Sequence, residues 1–223
     1  MDRHTRIKIC GIRTPDIAEA VVEAGADMIG VNFVEKSPRC VTLDEAAAVS
    51  ATVAGRAEVV GLFKDGEANA MRDAVRHASL DRLQLHGWID EPLIGELNPI
   101  ELIPAVSYDQ RIDQIIAEWD VVALDCAHVT ALIIDTPDPS GIGGGTGTTY
   151  NWHALREAID KVQPTLPIVL AGGLTPDNVT EAIETVRPWM VDVASGVESS
   201  RGVKDVGRIR AFCDAVRGAG PST

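Results

Sequence analysis

The strongest constraint on the fold is an alternation that runs the length of the 223-residue chain. Short β-rich runs fall at 5–10, 28–34, 57–63, 81–85, 101–106, 131–135, 168–171 and 190–194. A helical pattern follows each one, at 15–25, 44–54, 67–77, 91–97, 109–117, 153–162, 176–186 and 204–217. Eight strand–helix units in a chain of this length predict an α/β protein with a single closed (β/α)8 TIM barrel, a fold that begins at roughly 200 residues. A doubly wound open sheet is the competing architecture. It would show about five or six strands and a glycine-rich turn after the first. Here that turn reads Cys10-Gly11-Ile12-Arg13, and the glycines come late. Aromatic residues make up only 4% of the chain, so the core is built from Val, Ile, Leu and Ala, as in parallel strands covered by helices. No linker-like segment divides the chain. Residues 1–217 are expected to form one barrel domain, with 218–223 a frayed tail.

Several helix boundaries carry their own chemistry. Thr14-Pro15 and Thr175-Pro176 each place a capping hydroxyl before a proline at the first helical position. Thr42 with Glu45, and Ser107 with Gln110, have capping-box spacing. Ala24-Gly25 has the form of a helix stop.

The formal net charge is -13, which argues against a nucleic-acid or anionic-membrane surface and leaves a small anionic substrate open. Cys10, Cys40, Cys126 and Cys213 have neither disulfide-framework nor metal-site spacing. No apolar stretch is long enough to span a bilayer, and Met-Asp-Arg-His does not open a signal peptide. These features predict a cytoplasmic protein with no membrane or nucleic-acid partner. The expected state is monomeric, because no helix carries a long exposed apolar stripe.

In such a barrel, chemistry gathers at the C-terminal ends of the strands. Those ends are Cys10, then Glu35 to Arg39, Phe63-Lys64-Asp65, His86-Gly87, Asp135 with the loop Ser140 to Thr148, Ala171-Gly172-Gly173, and Ala194-Ser195-Gly196-Val197-Glu198. Gly172-Gly173 and Ser195-Gly196 stand after strands seven and eight, where barrel enzymes often hold phosphate on backbone N–H groups. The third glycine-rich loop, containing Gly145, adds a further substrate-binding candidate. Asp135 closes the apolar run Leu132-Ile133-Ile134, and the desolvation this implies suits a general acid, although a turn-forming aspartate fits the same pattern. Cys10 is a candidate base if its thiolate is accessible, and otherwise a buried thiol. Arg39, on a Ser-Pro-Arg turn, can grip a carboxylate with two N–H groups. Strand parity sets Lys8, Asn32, Gln84 and Asp192 on the face opposite the aliphatic one. This predicts a buried polar layer with Lys8 neutralised by Asp192 and placed to act on Cys10.

Lys8-Ile9-Cys10-Gly11-Ile12, Ser37-Pro38-Arg39, Gln84-Leu85-His86-Gly87, Asp135, Gly144-Gly145-Thr146-Gly147, Ala171-Gly172-Gly173-Leu174 and Ser195-Gly196-Val197-Glu198 occur in this order. The ordered set resembles the phosphoribosylanthranilate isomerases of tryptophan biosynthesis over nearly the whole chain. That resemblance implies a ribulose-phosphate-binding barrel and an Amadori rearrangement of N-(5-phosphoribosyl)anthranilate. It makes Asp135 the general acid, Cys10 the general base and Arg39 the partner of the anthranilate carboxylate, with Gly172, Gly173, Ser195 and Gly196 on the phosphate. It implies no metal and no cofactor. The dual-substrate barrel of histidine and tryptophan synthesis is an alternative, but it carries an aspartate where Cys10 stands. A phosphosugar-binding barrel without catalysis is another, since a fold alone does not fix function.

Overall fold

A computed structural model describes residues 4–87, 89–137 and 149–219. Eight strands alternate with eight helices: β1 (Arg6–Cys10), α1 (Pro15–Glu23), β2 (Met28–Asn32), α2 (Leu43–Val53), β3 (Glu58–Lys64), α3 (Ala68–Ala78), β4 (Arg82–His86), α4 (Glu91–Leu97), β5 (Glu101–Ser107), α5 (Ile112–Asp125), β6 (Leu132–Asp135), α6 (Trp152–Val162), β7 (Ile168–Leu170), α7 (Val179–Val186), β8 (Met190–Val193) and α8 (Val206–Gly218). The strands are parallel and close in sequential order, with β1 pairing both β2 and β8. The predicted barrel is therefore the observed fold. An antiparallel hairpin, β9 (Glu198–Ser200) with β10 (Val203–Lys204), is inserted between β8 and α8.

The pleat divides the core in two. Met28, Val60, Ile103, Ile133, Val169 and Met190 pack with each other inside the barrel. Ile7, Ile9, Ile29, Val31, Leu83 and Val191 belong to a separate, larger cluster that the helices cover. Alternate residues on one strand thus serve different cores, which a period of two requires. The strands must be apolar on both faces, and this accounts for a core built from aliphatic residues.

Local signals set most boundaries. Thr42 caps α2 in a reciprocal box: its hydroxyl accepts from Glu45 N at 3.2 Å, and its own N–H donates to Glu45 Oε2 at 2.7 Å. Helix α1 opens at Pro15 as expected, although Thr14 makes no side-chain cap bond. Two starts differ from expectation. Asn178 accepts from Thr175 N at 2.8 Å and donates to Gly173 O at 3.0 Å, so residues 175–178 form a turn and α7 begins only at Val179. Ser107 ends β5, and Asp109 Oδ1 takes the N–H of Arg111, so no box forms at 107–110 and α5 begins at Ile112. That helix also runs on past residue 117 to Asp125, because Ile112, Ile115, Ile116, Trp119 and Val122 continue its apolar face. Gly218, expected in the tail, closes α8, and residues 220–223 lie outside the described residues.

Candidate active site

One pocket opens at the C-terminal mouth of the barrel, with about 660 Å³ of space when the open solvent at its mouth is included. Cys10, Arg39, Asp135, Gly172, Gly173 and Ser195 all line it, together with Lys64, Gln84, His86 and Asp192. Candidates separated by up to 185 positions in the chain are therefore neighbours, because each stands at or just after a strand end. Gly196 lies in the 3-10 turn Ser195–Val197, one residue beyond the lining. Gly145 lies outside the described residues.

The floor is the buried polar layer that parity predicted. Lys8 is completely buried; its Nζ donates to Asp192 Oδ1 at 3.0 Å and to Gln84 Oε1 at 2.7 Å. Burial opposes the Lys8 charge, but Asp192 and Cys10 outweigh it and hold its pKa above the ordinary value. The ammonium is a donor only, so the oxygen of Gln84 must face it and the Gln84 amide faces His86 Nε2, 2.7 Å away. His86 Nε2 is then an acceptor, and the ring is the neutral tautomer with its proton on Nδ1. Burial, with Lys8 and Lys64 adding to it, brings the His86 pKa down to about 4.

Cys10 is one position above Ile9 and two above Lys8, on the inward face of β1. Burial pushes its thiol pKa up. Lys8, Lys204 and Arg39 pull it down, while Asp192 pushes it further up. The thiolate thus depends on three cations held around it.

Arg39 is 4% exposed and already engages a carboxylate. Its Nε and Nη2 donate to Glu198 Oε1 and Oε2 at 2.6 and 2.9 Å. Glu198 also accepts from Gly202 N at 2.9 Å and Lys204 Nζ at 3.1 Å, and these contacts hold its pKa below the ordinary range against the opposing effect of burial. Sequence reasoning placed Glu198 at a strand end without a role and missed Lys204. Arg39 and Glu198 are 159 positions apart, and no local pattern links them.

Asp135 ends β6, and its Oδ1 accepts from Thr136 N at 2.7 Å. Gly172, with φ of +89°, leaves room here: a Cβ on it would stand 2.1 Å from Thr136 Oγ1 and 3.0 Å from Asp135 Oδ1. Only glycine adopts that backbone freely and admits the acid this close. Gly196 has the same function against the neighbouring loop, where a Cβ would meet Leu174 O at 1.8 Å. These glycines let the loops after β6, β7 and β8 converge on the pocket. Among the described residues, no group of three or more His, Cys, Asp and Glu side chains is placed to hold a metal ion.

The sequence profile of a family described as N-(5'-phosphoribosyl)anthranilate (PRA) isomerase matches residues 7–215. An N-(5'-phosphoribosyl)anthranilate isomerase of Thiobacillus denitrificans is 40% identical over 211 residues, covering 93% of this chain and 95% of the relative. The crystal structure of the phosphoribosyl anthranilate isomerase from Thermotoga maritima superposes with a TM-score of 0.84 at 32% identity, covering 96% of this chain and 99% of that one. A phosphoribosyl anthranilate isomerase crystallised with reduced 1-(o-carboxyphenylamino)-1-deoxyribulose 5-phosphate superposes with a TM-score of 0.81 at 30% identity, with coverage of 96% and 99%.

Proposed function

Because the chain belongs to the N-(5'-phosphoribosyl)anthranilate isomerase family, we propose that it carries out the Amadori rearrangement of N-(5-phosphoribosyl)anthranilate to 1-(2-carboxyphenylamino)-1-deoxyribulose 5-phosphate in tryptophan biosynthesis. The observation that supports this most is the joint placement of Cys10, from β1, and Asp135, from β6, on one pocket flanked by Arg39 and the small-residue loops after β7 and β8.

Asp135 gives a proton to the furanose ring oxygen. The anilinic nitrogen lone pair then opens the ring to a Schiff base at C1. Cys10, as thiolate, removes the proton from C2, and the electron pair moves into a C1–C2 enolamine that tautomerises to the C2 ketone. C1 is reduced and C2 oxidised within one molecule, so the steps balance by proton transfer alone and call for no cofactor. The positive Schiff base arises beside Cys10 and joins Lys8, Lys204 and Arg39 in favouring the thiolate. Arg39 takes the anthranilate carboxylate. Gly172, Gly173, Ser195 and Gly196 take the phosphate, and Gly145 is assigned to the substrate with them.

We further propose a monomer in a reducing cytoplasm. All four cysteines are free, and no described helix is long and apolar enough to cross a membrane. A sedimentation mass twice that of the chain would replace the monomer.

Turnover of freshly generated N-(5-phosphoribosyl)anthranilate, followed by anthranilate-type fluorescence, tests the reaction. We expect rapid conversion by the native chain and a loss of roughly 10²–10⁴-fold in Asp135→Asn, the range for removing a general acid. Equal rates would overturn the role of Asp135. No conversion by either protein would overturn the reaction itself.

A further inference from the structure

The hairpin β9–β10 brings a second charged shell to the wall of the pocket. Glu198 and Lys204 have side chains only 3% exposed, and that of Arg39 is 5% exposed. Lys204 Nζ donates to Ala194 O at 2.6 Å as well as to Glu198, which ties the hairpin to the end of β8 beside Ser195. Gly202 N fixes the other carboxylate oxygen at 2.9 Å. Each oxygen of Glu198 therefore meets Arg39 and one further donor, and the carboxylate is held from both sides before any substrate arrives.

A guanidinium has five N–H groups in a rigid plane. Glu198 occupies its Nε edge, Arg39 lines the pocket, and among the described residues Nη1 makes no hydrogen bond. The two cations of this trio face the Glu198 carboxylate and also favour the Cys10 thiolate. We propose that Glu198 is a positioning residue for substrate recognition. By holding the Nε edge of Arg39, it presents the opposite edge to the aryl carboxylate in one fixed orientation, and so sets the preference for an ortho-carboxylated N-aryl glycosylamine. This rests on the reading of Arg39 as the carboxylate's partner.

The test compares kcat/KM for N-(5-phosphoribosyl)anthranilate with that for N-(5-phosphoribosyl)aniline, which lacks the carboxylate. Both are generated from ribose 5-phosphate and the free amine, and the products are resolved chromatographically. For Glu198→Gln we expect a loss of roughly ten- to a hundredfold on the carboxylated substrate, the scale of one charge-assisted hydrogen bond, and less than about twofold on the aniline. Glu198→Asp keeps the charge and shortens the reach, so it should show the same selectivity with a smaller loss and covers the case in which the glutamine variant does not fold. In an Arg39→Ala background, Glu198→Gln should cost nothing more on either substrate. If Arg39→Ala is selective for the carboxylated substrate but both Glu198 variants lose equally on the two substrates, Glu198 is only a structural tie and the inference is overturned. If Arg39→Ala itself loses equally on both, the reading of Arg39 fails and the inference falls with it.

Discussion

Arg6, Glu58, Arg82 and Glu101 alternate in sign around the N-terminal mouth of the barrel, whereas Arg39 and Lys204 converge on the single carboxylate of Glu198 beside the C-terminal mouth. At the N-terminal mouth Arg6 donates to Glu58 at 3.0 Å, stacks over Trp189 at 4.9 Å and lies 3.7 Å from Asp27. Arg82 bridges Glu58 and Glu101 and donates to Thr130 Oγ1. These side chains are 16–45% exposed, so water screens them. They link the starts of β1, β3, β4 and β5, and their work is closure. The C-terminal cluster is almost fully buried, and its two cations face Glu198 and also favour the Cys10 thiolate. The same barrel thus uses half-exposed charges for closure at one mouth and gathers buried cations at the other, where the proposed substrate brings a carboxylate and a phosphate.

The floor between the two mouths offers the severest way to break this division. Lys8→Met leaves the Asp192 carboxylate buried without its partner, and urea unfolding should show a loss of about 3–5 kcal/mol. Pairing it with Asp192→Leu should recover most of that loss. A single variant as stable as the native chain would mean the ion pair does not hold the floor. A pH titration sharpens the contrast from the C-terminal side. The folded pKa of His86, about 4, is below its ordinary 6.5, so the unfolded chain binds the extra proton first. Stability from this group is complete above pH 6.5 and declines as pH falls toward 4, by about 3 kcal/mol. Lys8 and Lys64 are the charges that act on the ring. Relative to the native chain, His86→Gln should lose less stability over this window; parallel curves would contradict the neutral, half-buried ring. The smallest effect belongs to the N-terminal mouth. Glu58→Gln should lower stability by about 1 kcal/mol, as half-exposed pairs do, and leave kcat/KM unchanged. A drop in turnover there would erase the distinction between the mouths.

What could be read from the chain follows the range of the interactions. The barrel was legible because its signal repeats eight times, each within some 25 residues. The pairing of Lys8 with Asp192 was legible too, since parity puts both inside and a buried ammonium needs a carboxylate. Helix α5 is longer than its sequence pattern predicts because Trp119 and Val122 continue its apolar stripe, and α7 is shorter because Asn178, rather than Thr175, supplies the turn's side-chain bonds. The hairpin β9–β10 has too few residues to show alternation. Its partner Arg39 is far away in sequence, so the grip of Glu198 on Arg39 emerges only when β8 closes beside β1. The protonation of His86 is a property of the chain Lys8–Gln84–His86 through three hydrogen-bonding groups on two strands, and no single motif encodes it.

In the proposed reaction Cys10 acts on the substrate's proton rather than on its binding. The most direct measurement takes one preparation of Cys10→Ser and determines both its turnover and its affinity for the reduced product analogue. Turnover should fall by roughly 10²–10⁴-fold, with the dissociation constant within about threefold of the native value. Native turnover, or affinity lost in step with turnover, would contradict it.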